Sequence, residues 1–346
     1  MRPLDLPHGR VDLTHGSGGR AMVQLVAELF VRHLGNEYLA QGNDGAVLPA
    51  PANAGTPERL VMSADCYVVS PLFFPGGDIG CLAVHGTVND VAMMGATPLY
   101  LTAGFILEEG FPLSDLERIV ASMARAARDA GVPVVAGDTK VVERGKGDGV
   151  FITTTGVGLL PEGVQLGGER ARPGDAILVS GSIGDHGVAI LSKRENLSFD
   201  APIESDTAAL HRLVAAMLAT GADIRCLRDP TRGGLAATLN EIAAQSGVGM
   251  MLREQAIPLK PVVAAACELL GFDPLYLANE GKLIAICAAA DAGRLLQAMR
   301  EHPLARDAAL IGEVIADERR FVQLTTTFGG RRIVDWLAGE QLPRIC

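Results

Sequence analysis

Gly86-Thr87-Val88-Asn89-Asp90-Val91-Ala92-Met93-Met94-Gly95 reads as the second half of an apolar helix, about Ile79 to Met94, with an amide and a carboxylate set in its middle. Burying such a pair is costly unless both side chains find partners. A local hydrogen-bonded pair satisfies that demand, and so does the acidic wall of a metal–phosphate site. The flanks are strands. Leu60-Val61-Met62-Ser63-Ala64-Asp65 starts apolar and ends acidic, and Thr97 to Leu107 follows the helix. This alternation is the mark of an α/β domain, whose ligands bind beyond the carboxyl ends of the strands. Asp65 stands at such an end, and Asp44 precedes it in Asn43-Asp44-Gly45-Ala46. With Asp90 these acids are candidates for Mg²⁺, which takes a few carboxylates plus phosphate oxygens.

Outward from this centre the pattern repeats. Upstream, His15-Gly16-Ser17-Gly18-Gly19 runs into a helix from about Arg20 to Leu34, with apolar residues at helical spacing. The glycines serve either as a plain linker or as backbone donors to a phosphate. No Walker sequence occurs. Downstream, Ser114-Asp115-Leu116-Glu117 has the form of a capping box opening a helix to about Asp129. Val132 to Ala136 reads as a strand ending in the loop Gly137-Asp138-Thr139-Lys140, and Val150 to Leu159 closes the first half. Lys140 is either a solvated loop lysine or a phosphate or substrate contact.

Arg172-Pro173-Gly174-Asp175 marks a joint, after which strand, glycine turn and helix recur. Ala176–Ser180 leads into Gly181-Ser182-Ile183-Gly184-Asp185-His186-Gly187. A helix is expected from about Asp206 to Ala219, and Pro261 opens another reaching Leu270. Arg228-Asp229-Pro230-Thr231-Arg232-Gly233-Gly234 is a charged turn before a helix. Asn279-Glu280-Gly281-Lys282 places an acid at the edge of the strand Leu283–Cys287.

At 346 residues two domains are the natural prior. No apolar run reaches the ~18 residues of a membrane span, and no signal-peptide core occurs, so a cytoplasmic location is expected. A net charge of −10 without a basic run argues against a nucleic-acid surface. None of the six cysteines forms a C-x-x-C pair, which argues against zinc, and five lie in apolar surroundings. The sixth, Cys346, ends the chain after Leu342-Pro343-Arg344-Ile345, a semi-rigid arm with a thiol at its tip.

Taken together, HGSGG at 15–19, NDGA at 43–46, PLFFPGGDIG at 71–80, GTVNDVAMMGA at 86–96 and GDTKVV at 137–142 resemble the HypE family of hydrogenase maturation proteins. SGSIGDHG at 180–187, DPTRGG at 229–234, NEGK at 279–282 and the terminal PRIC complete the resemblance, which spans nearly the whole chain. That family is grouped with aminoimidazole ribonucleotide synthetase and selenophosphate synthetase. Cys66, where relatives carry Ser, is one departure and is expected to be neutral.

The resemblance implies a two-domain α/β (α+β) fold of the aminoimidazole ribonucleotide synthetase type with a flexible C-terminal tail. The divisions would be 1–42, an N-terminal glycine-rich segment and helix; 43–160, an ATP-binding, dimer-forming domain; 170–335, a second α/β domain; and 336–346, a mobile tail. It implies an ATP-dependent carbamoyl dehydratase. The carbamoyltransferase HypF would load a carbamoyl group onto Cys346, the tail would enter the ATP site, and the phosphorylated carboxamide would lose phosphate to leave a thiocyanate. A HypC–HypD scaffold would take the cyano group to iron as a ligand of a [NiFe] centre.

ATP and Mg²⁺ are the implied cofactors. Asp44, Asp65, Asp90 and Asp229 would hold metal and phosphates, with Asn89, Asp138 and Thr139 as neighbours and Gly16, Ser17, Gly18 and Gly19 as a phosphate lid. Cys346 would carry the substrate, Glu280 would be the base, and Lys140 would stand beside it. His15, His85 and His186 are equally readable as nucleotide contacts or structural hydrogen-bonders. Two competing readings are a synthetase acting on a free small molecule, and a carrier whose ATP site is a relic.

Overall fold

The computed structural model describes Thr14, residues 19–34, Glu37, residues 39–48, 59–197, 202–337 and 342–346. In chain order its helices are α1 (Arg20–Leu25), α2 (Val31–Leu34), α3 (Ile79–Met93), α4 (Leu113–Ala130), α5 (Asp185–Arg194), α6 (His211–Ala219), α7 (Gly234–Ser246), α8 (Pro261–Leu270) and α9 (Ala292–Glu301). A π turn, Val26–Phe30, joins α1 to α2. The strands of the first half are β1 (Ala46–Leu48), β2 (Arg59–Tyr67), β3 (Phe73–Phe74), β4 (Gly77–Asp78), β5 (Thr97–Glu108), β6 (Val134–Val142) and β7 (Val150–Leu160). Those of the second are β8 (Ala176–Val179), β9 (Ile224–Arg228), β10 (Gly249–Arg253), β11 (Ile284–Cys287), β12 (Ala309–Ile315), β13 (Val322–Thr325) and β14 (Arg331–Ile333).

The first sheet has the order β1-β2-β7-β5-β6, with only β5 and β6 parallel. Strand alternation sends one residue set to each face. Tyr67, Leu101, Ala103, Val150 and Ile152 bury against α3 and α4. The opposite face keeps Met62, Tyr100 and Ile106 exposed. The second sheet, β14-β13-β10-β12-β8-β11-β9, is covered on both faces. Ile177, Val179, Ile284 and Ile286 pack with α7, whereas Ala176, Leu178, Ala285 and Cys287 pack with α6 and α9. Strands buried on both sides read as continuous apolar runs, as AILV of β8 and IAIC of β11 do.

Three local expectations change. Pro112 is the N-cap of α4, so Ser114 lies inside the helix and makes no capping box. Residues 206–210 are not helical, and α6 begins at His211. Gly137–Lys140 is not a loop: β6 runs through it to Val142, its backbone held in a parallel ladder by β5.

Helix α3 explains its own apolar run. Thirteen of its fifteen residues are buried, Asp78 caps its N-terminus by accepting from Gly80 and Cys81 N–H, and it packs on α4, β2 and β7. Gly80 and Gly86 permit this closeness: a Cβ at Gly80 would meet the Ile119 carbonyl at 2.2 Å, and one at Gly86 the Tyr67 hydroxyl at 2.3 Å.

Candidate active site

Asn89 has no polar atom left over for a ligand. Its amide nitrogen donates to the carbonyls of Ala208 at 3.0 Å and Glu280 at 3.3 Å, and its oxygen accepts from Leu210 N–H at 2.7 Å. It is a clasp between the two halves. Asp90, one residue on, accepts from Ser63 Oγ at 2.5 Å.

The NDGA turn is a second clasp. Asn43 accepts from Gly168 N–H at 3.0 Å, and Asp44 pairs with buried Arg228 at 2.5 Å. Arg228 also donates to the Gly42 carbonyl at 2.8 Å. The other Asp44 oxygen is buried with no hydrogen-bond partner.

Asp44, Asp65, Asp90, Asp229 and Glu280 form one electrostatic group. Burial, then the charges of Asp229, Asp65 and Asp44, push Asp90 well above the usual carboxylate range. Burial and the Asp44 charge raise Asp229 to about 8. Burial raises Asp44 despite its Arg228 partner. Glu280, 3 % exposed, is pushed well up by burial and by Asp229, Asp206 and Asp65, with Arg232 opposing.

Glu280 is held by its main chain. Its N–H donates to Asp206 at 3.0 Å, and the same carboxylate accepts from Lys282 Nζ at 3.1 Å. Gly281 must be glycine, because a Cβ there would lie 1.7 Å from the Asp206 carbonyl oxygen. Asn279 fixes the other side, accepting from Gly184 N–H at 2.7 Å and donating to the Pro230 and Leu277 carbonyls at 3.0 Å each. The NEGK segment thus presents one carboxylate whose Oε1 is buried without a hydrogen-bond partner.

The chain end fills this place. The N–H groups of Val68 and Ser70 donate to Cys346 and Arg344 oxygens, both at 3.0 Å, pairing the tail antiparallel to the chain leaving β2. Arg344 donates to the Val68 carbonyl at 2.8 Å and pairs with Asp148. Ile345 is 4 % exposed within the core of the first half. Burial pushes the Cys346 thiol far above its ordinary value; Arg232 pulls it down, and Glu280, Asp65 and Asp229 push it up. The expected mobile tail is therefore seated at its last residues, and the thiolate expected of a free terminal cysteine is suppressed in that seat. The Cys346 charge is the leading cause that raises Arg232.

Asp138, Thr139 and Lys140 are not brought to this site. The row Asp65–Thr154–Ala103–Gly137 crosses four strands, so β6 lies about 14 Å from β2. Asp65, Ala103 and Gly137 share the helix-covered face, so Asp138 and Lys140, in register with Gly104 and Ile106, point to the other. They are 69 and 71 % exposed and pair with each other at 2.7 Å. Lys140 beside Glu280 is thus corrected for the single chain. Gly19 is the N-cap of α1 and lies against the Leu337 carbonyl. His15, Gly16, Ser17 and Gly18 lie outside the described residues.

The two unpartnered carboxylate oxygens and the upward shifts of Asp44, Asp90, Asp229 and Glu280 fit a cation and the phosphates it carries. Among the described residues no three acids, histidines or cysteines converge tightly enough to hold a metal alone. The four aspartates are thus a partial set of the kind expected, with phosphate oxygens needed to complete it. Sequence reasoning named Asp229 but passed over Arg228 and Arg232 in the same turn, whose signal was two cations flanking an acid. It left His186 undecided. His85 bonds Thr207 Oγ1 at 3.0 Å, and burial lowers it to about 4, so it is a structural hydrogen-bonder.

Residues 42–160 match the AIR synthase related protein N-terminal domain, and residues 172–325 match the AIR synthase related protein C-terminal domain. Fold and site therefore define an AIR-synthase-related protein. Carbamoyl dehydratase HypE of Cupriavidus necator is 70 % identical over 346 residues, covering 100 % of this chain and 97 % of that one. The solved HypE–HypF complex superposes with a TM-score of 0.85 at 48 % identity, covering 90 % of this chain and 99 % of that one. HypE in complex with ATP gives 0.81 at 52 %, covering 97 and 100 %. The chain belongs to the carbamoyl dehydratase HypE family.

Proposed function

We propose that this chain dehydrates a carbamoyl group carried on its own Cys346 to a thiocyanate, in a reaction driven by ATP, supplying cyanide ligands to a [NiFe]-hydrogenase iron. The observation that carries the reading is the seat of Cys346: a half-buried terminal thiol whose charge is felt by Asp65, Asp229, Glu280 and Arg232. A synthetase with a diffusible substrate has no use for a chain end in that place.

Mg·ATP, when bound, would supply the γ-phosphoryl group that the carboxamide oxygen accepts, ADP leaving, which turns that oxygen into a leaving group. Asp65, Asp90 and Asp229, with the unpartnered Asp44 oxygen, would hold the cation. Glu280 takes the amide proton, its basicity raised by burial. Arg232 balances the carboxylates around the sulfur. Loading demands a different state. A thiol held protonated in this half-buried seat is a poor nucleophile, so Cys346 leaves its seat to meet the carbamoyltransferase HypF and returns as a neutral S-carbamoyl thiocarbamate that burial does not penalise. The cyano group then passes to a HypC–HypD scaffold.

A homodimer through the first sheet fits the exposed apolar residues Tyr100, Ile106, Val135 and Val141 and the open edge of β6. Beneath that edge lies a cavity of about 1180 Å³ lined by Phe105, Met123 and Val134. We place Asp138, Thr139 and Lys140 at this junction, and keep the Gly16–Gly19 lid as a phosphate contact. No helix among the described residues is long and apolar enough to cross a membrane, and we place the protein in the cytoplasm.

The test is mass spectrometry of the intact protein and its C-terminal peptide after loading by the transferase and addition of Mg·ATP. One carbamoyl group should appear on Cys346, followed by ATP-dependent loss of one water. Loading without water loss would leave only a carrier, and an unmodified Cys346 would return the chain to the free-substrate synthetases.

A further inference from the structure

His186 stands at the start of α5 with no exposed surface, and both ring nitrogens are engaged. Nε2 lies 2.7 Å from the carbonyl oxygen of Ile345, the residue before the reactive cysteine. Nδ1 lies 2.7 Å from Ser205 Oγ. A carbonyl only accepts, so Nε2 carries the proton and donates. In the neutral ring Nδ1 must then accept from the Ser205 hydroxyl. Burial favours that neutral form. Phe74 packs edge-on against the ring at 5.5 Å and 86° and fixes its plane.

Ser205 is also tied to the base. Asp206 follows it and holds the Glu280 N–H and Lys282, and Ser205 N–H donates to the Pro75 carbonyl at 2.8 Å. The strand of chain 205–206 therefore touches the tail through His186 and the base through Asp206.

We propose that His186, oriented by Ser205, is the positioning residue that latches the tail and sets Cys346 in register with Glu280. The latch grips a backbone carbonyl, so it recognises how far the tail has entered and not which group the sulfur carries. It holds the carbamoyl and cyano forms as it holds the free thiol. The inference rests on the dehydratase reading for its consequence, but the latch has a readout of its own.

The test compares full-length wild type with His186→Leu, His186→Gln and Ser205→Ala. Tail seating is read without ATP by hydrogen exchange of residues 342–346 and by release of Cys346 with carboxypeptidase. A buried hydrogen bond of ordinary strength gives about a 10-fold rise in both for His186→Leu, and about 3-fold for Ser205→Ala. His186→Gln, whose amide can donate to the same carbonyl, restores most of the protection. In carbamoyl-loaded protein the ATP-dependent loss of water slows in His186→Leu by the same factor, while loading by the transferase is not slowed. Unchanged tail protection in both His186→Leu and Ser205→Ala would overturn the latch, and so would loading that falls in step with water loss. If His186→Leu fails to fold, Ser205→Ala decides the matter. Wild type that never loses water would sink the dehydratase reading alone, leaving the exchange measurement to judge the latch.

Discussion

Asn89, at the centre of α3 in the first half, donates to the main-chain carbonyl of Glu280 in the second at 3.3 Å. The helix that looked costly to bury is the joint that brings the base to the acids. Asn89→Ala would strip Leu210 N–H and two carbonyls of their partner in a buried interface. Each buried group left unsatisfied costs about 1–3 kcal/mol. We expect a loss of roughly 3 kcal/mol in chemical denaturation, with dehydration falling further than stability because Glu280 shifts. Asn89→Asp, which keeps the acceptor and loses the donor, should retain the Leu210 contact and still fail at Glu280.

Gly281→Ala tests the same joint from the other side. The added methyl would fall 1.7 Å from the Asp206 carbonyl, so the loop must move and Glu280 with it. Dehydration of a preloaded tail should drop by at least about 100-fold, the scale expected when a catalytic group is misplaced by an ångström. Far-UV circular dichroism should be unchanged. Normal turnover in this variant would remove Glu280 from the mechanism.

Arg232 is the cation nearest the question of how a thiol sits among carboxylates. Its charge opposes Glu280, Asp65 and Asp229 at the sulfur. Arg232→Met should push the Cys346 thiol higher still and leave the acids uncompensated. Alkylation of Cys346 by iodoacetamide should then slow relative to wild type if the tail stays seated, or accelerate sharply if repulsion ejects it. The peptide map distinguishes these, and an unchanged rate at Cys346 would show that Arg232 does not face the tail.

Much of this was readable because an acid in an apolar run is a chemical anomaly. Asp65, Asp90 and Glu280 each announce themselves that way, whereas Asp229 lies in a charged turn and is marked only by the resemblance; the four share one electrostatic neighbourhood. Glycine and aspartate are poor strand formers, so Gly137-Asp138-Thr139 read as a loop. Pairing with β5 overrides that preference and carries Lys140 to the exposed face. The latch was illegible for another reason. His186 and Ile345 are 159 residues apart, and a backbone carbonyl leaves no trace in the sequence. Arg228 and Arg232 looked like charges of a helix start, because their partners Asp44 and Cys346 are contributed by distant segments.

His85 offers a pH test away from the acids. Burial lowers it to about 4, with Asp129 raising and His211 lowering it further. An imidazole whose folded pKa lies below its unfolded value of about 6.5 binds fewer protons when folded. It therefore costs nothing above pH 6.5 and destabilises progressively as pH falls from 6.5 to 4. Over that window the cost reaches about 3 kcal/mol, since one pKa unit is 1.36 kcal/mol. His85→Gln, able to keep the Thr207 bond, should flatten the acid limb of the stability curve by about that amount relative to wild type. Parallel curves for the two proteins would mean that His85 is hydrated.

Asp229 carries the opposite sign and bears on the nucleotide site. Its folded pKa of about 8 exceeds that of a free carboxylate, through burial and the Asp44 charge. Without a cation the folded protein therefore holds a proton there at neutral pH. Stability from this group is present at low pH and is lost as pH rises through 8. A divalent cation competes with that proton. Binding of Mg·ATP at pH 7 should release protons, and affinity should climb with pH until it levels off above about 8. Calorimetry in buffers of different ionisation enthalpy counts the protons directly. Asp229→Asn should bind more weakly, release fewer protons and lose most of the pH dependence. Proton release undiminished in Asp229→Asn would assign the titrating carboxyl to Asp90 or Glu280 and take Asp229 out of the cation's set.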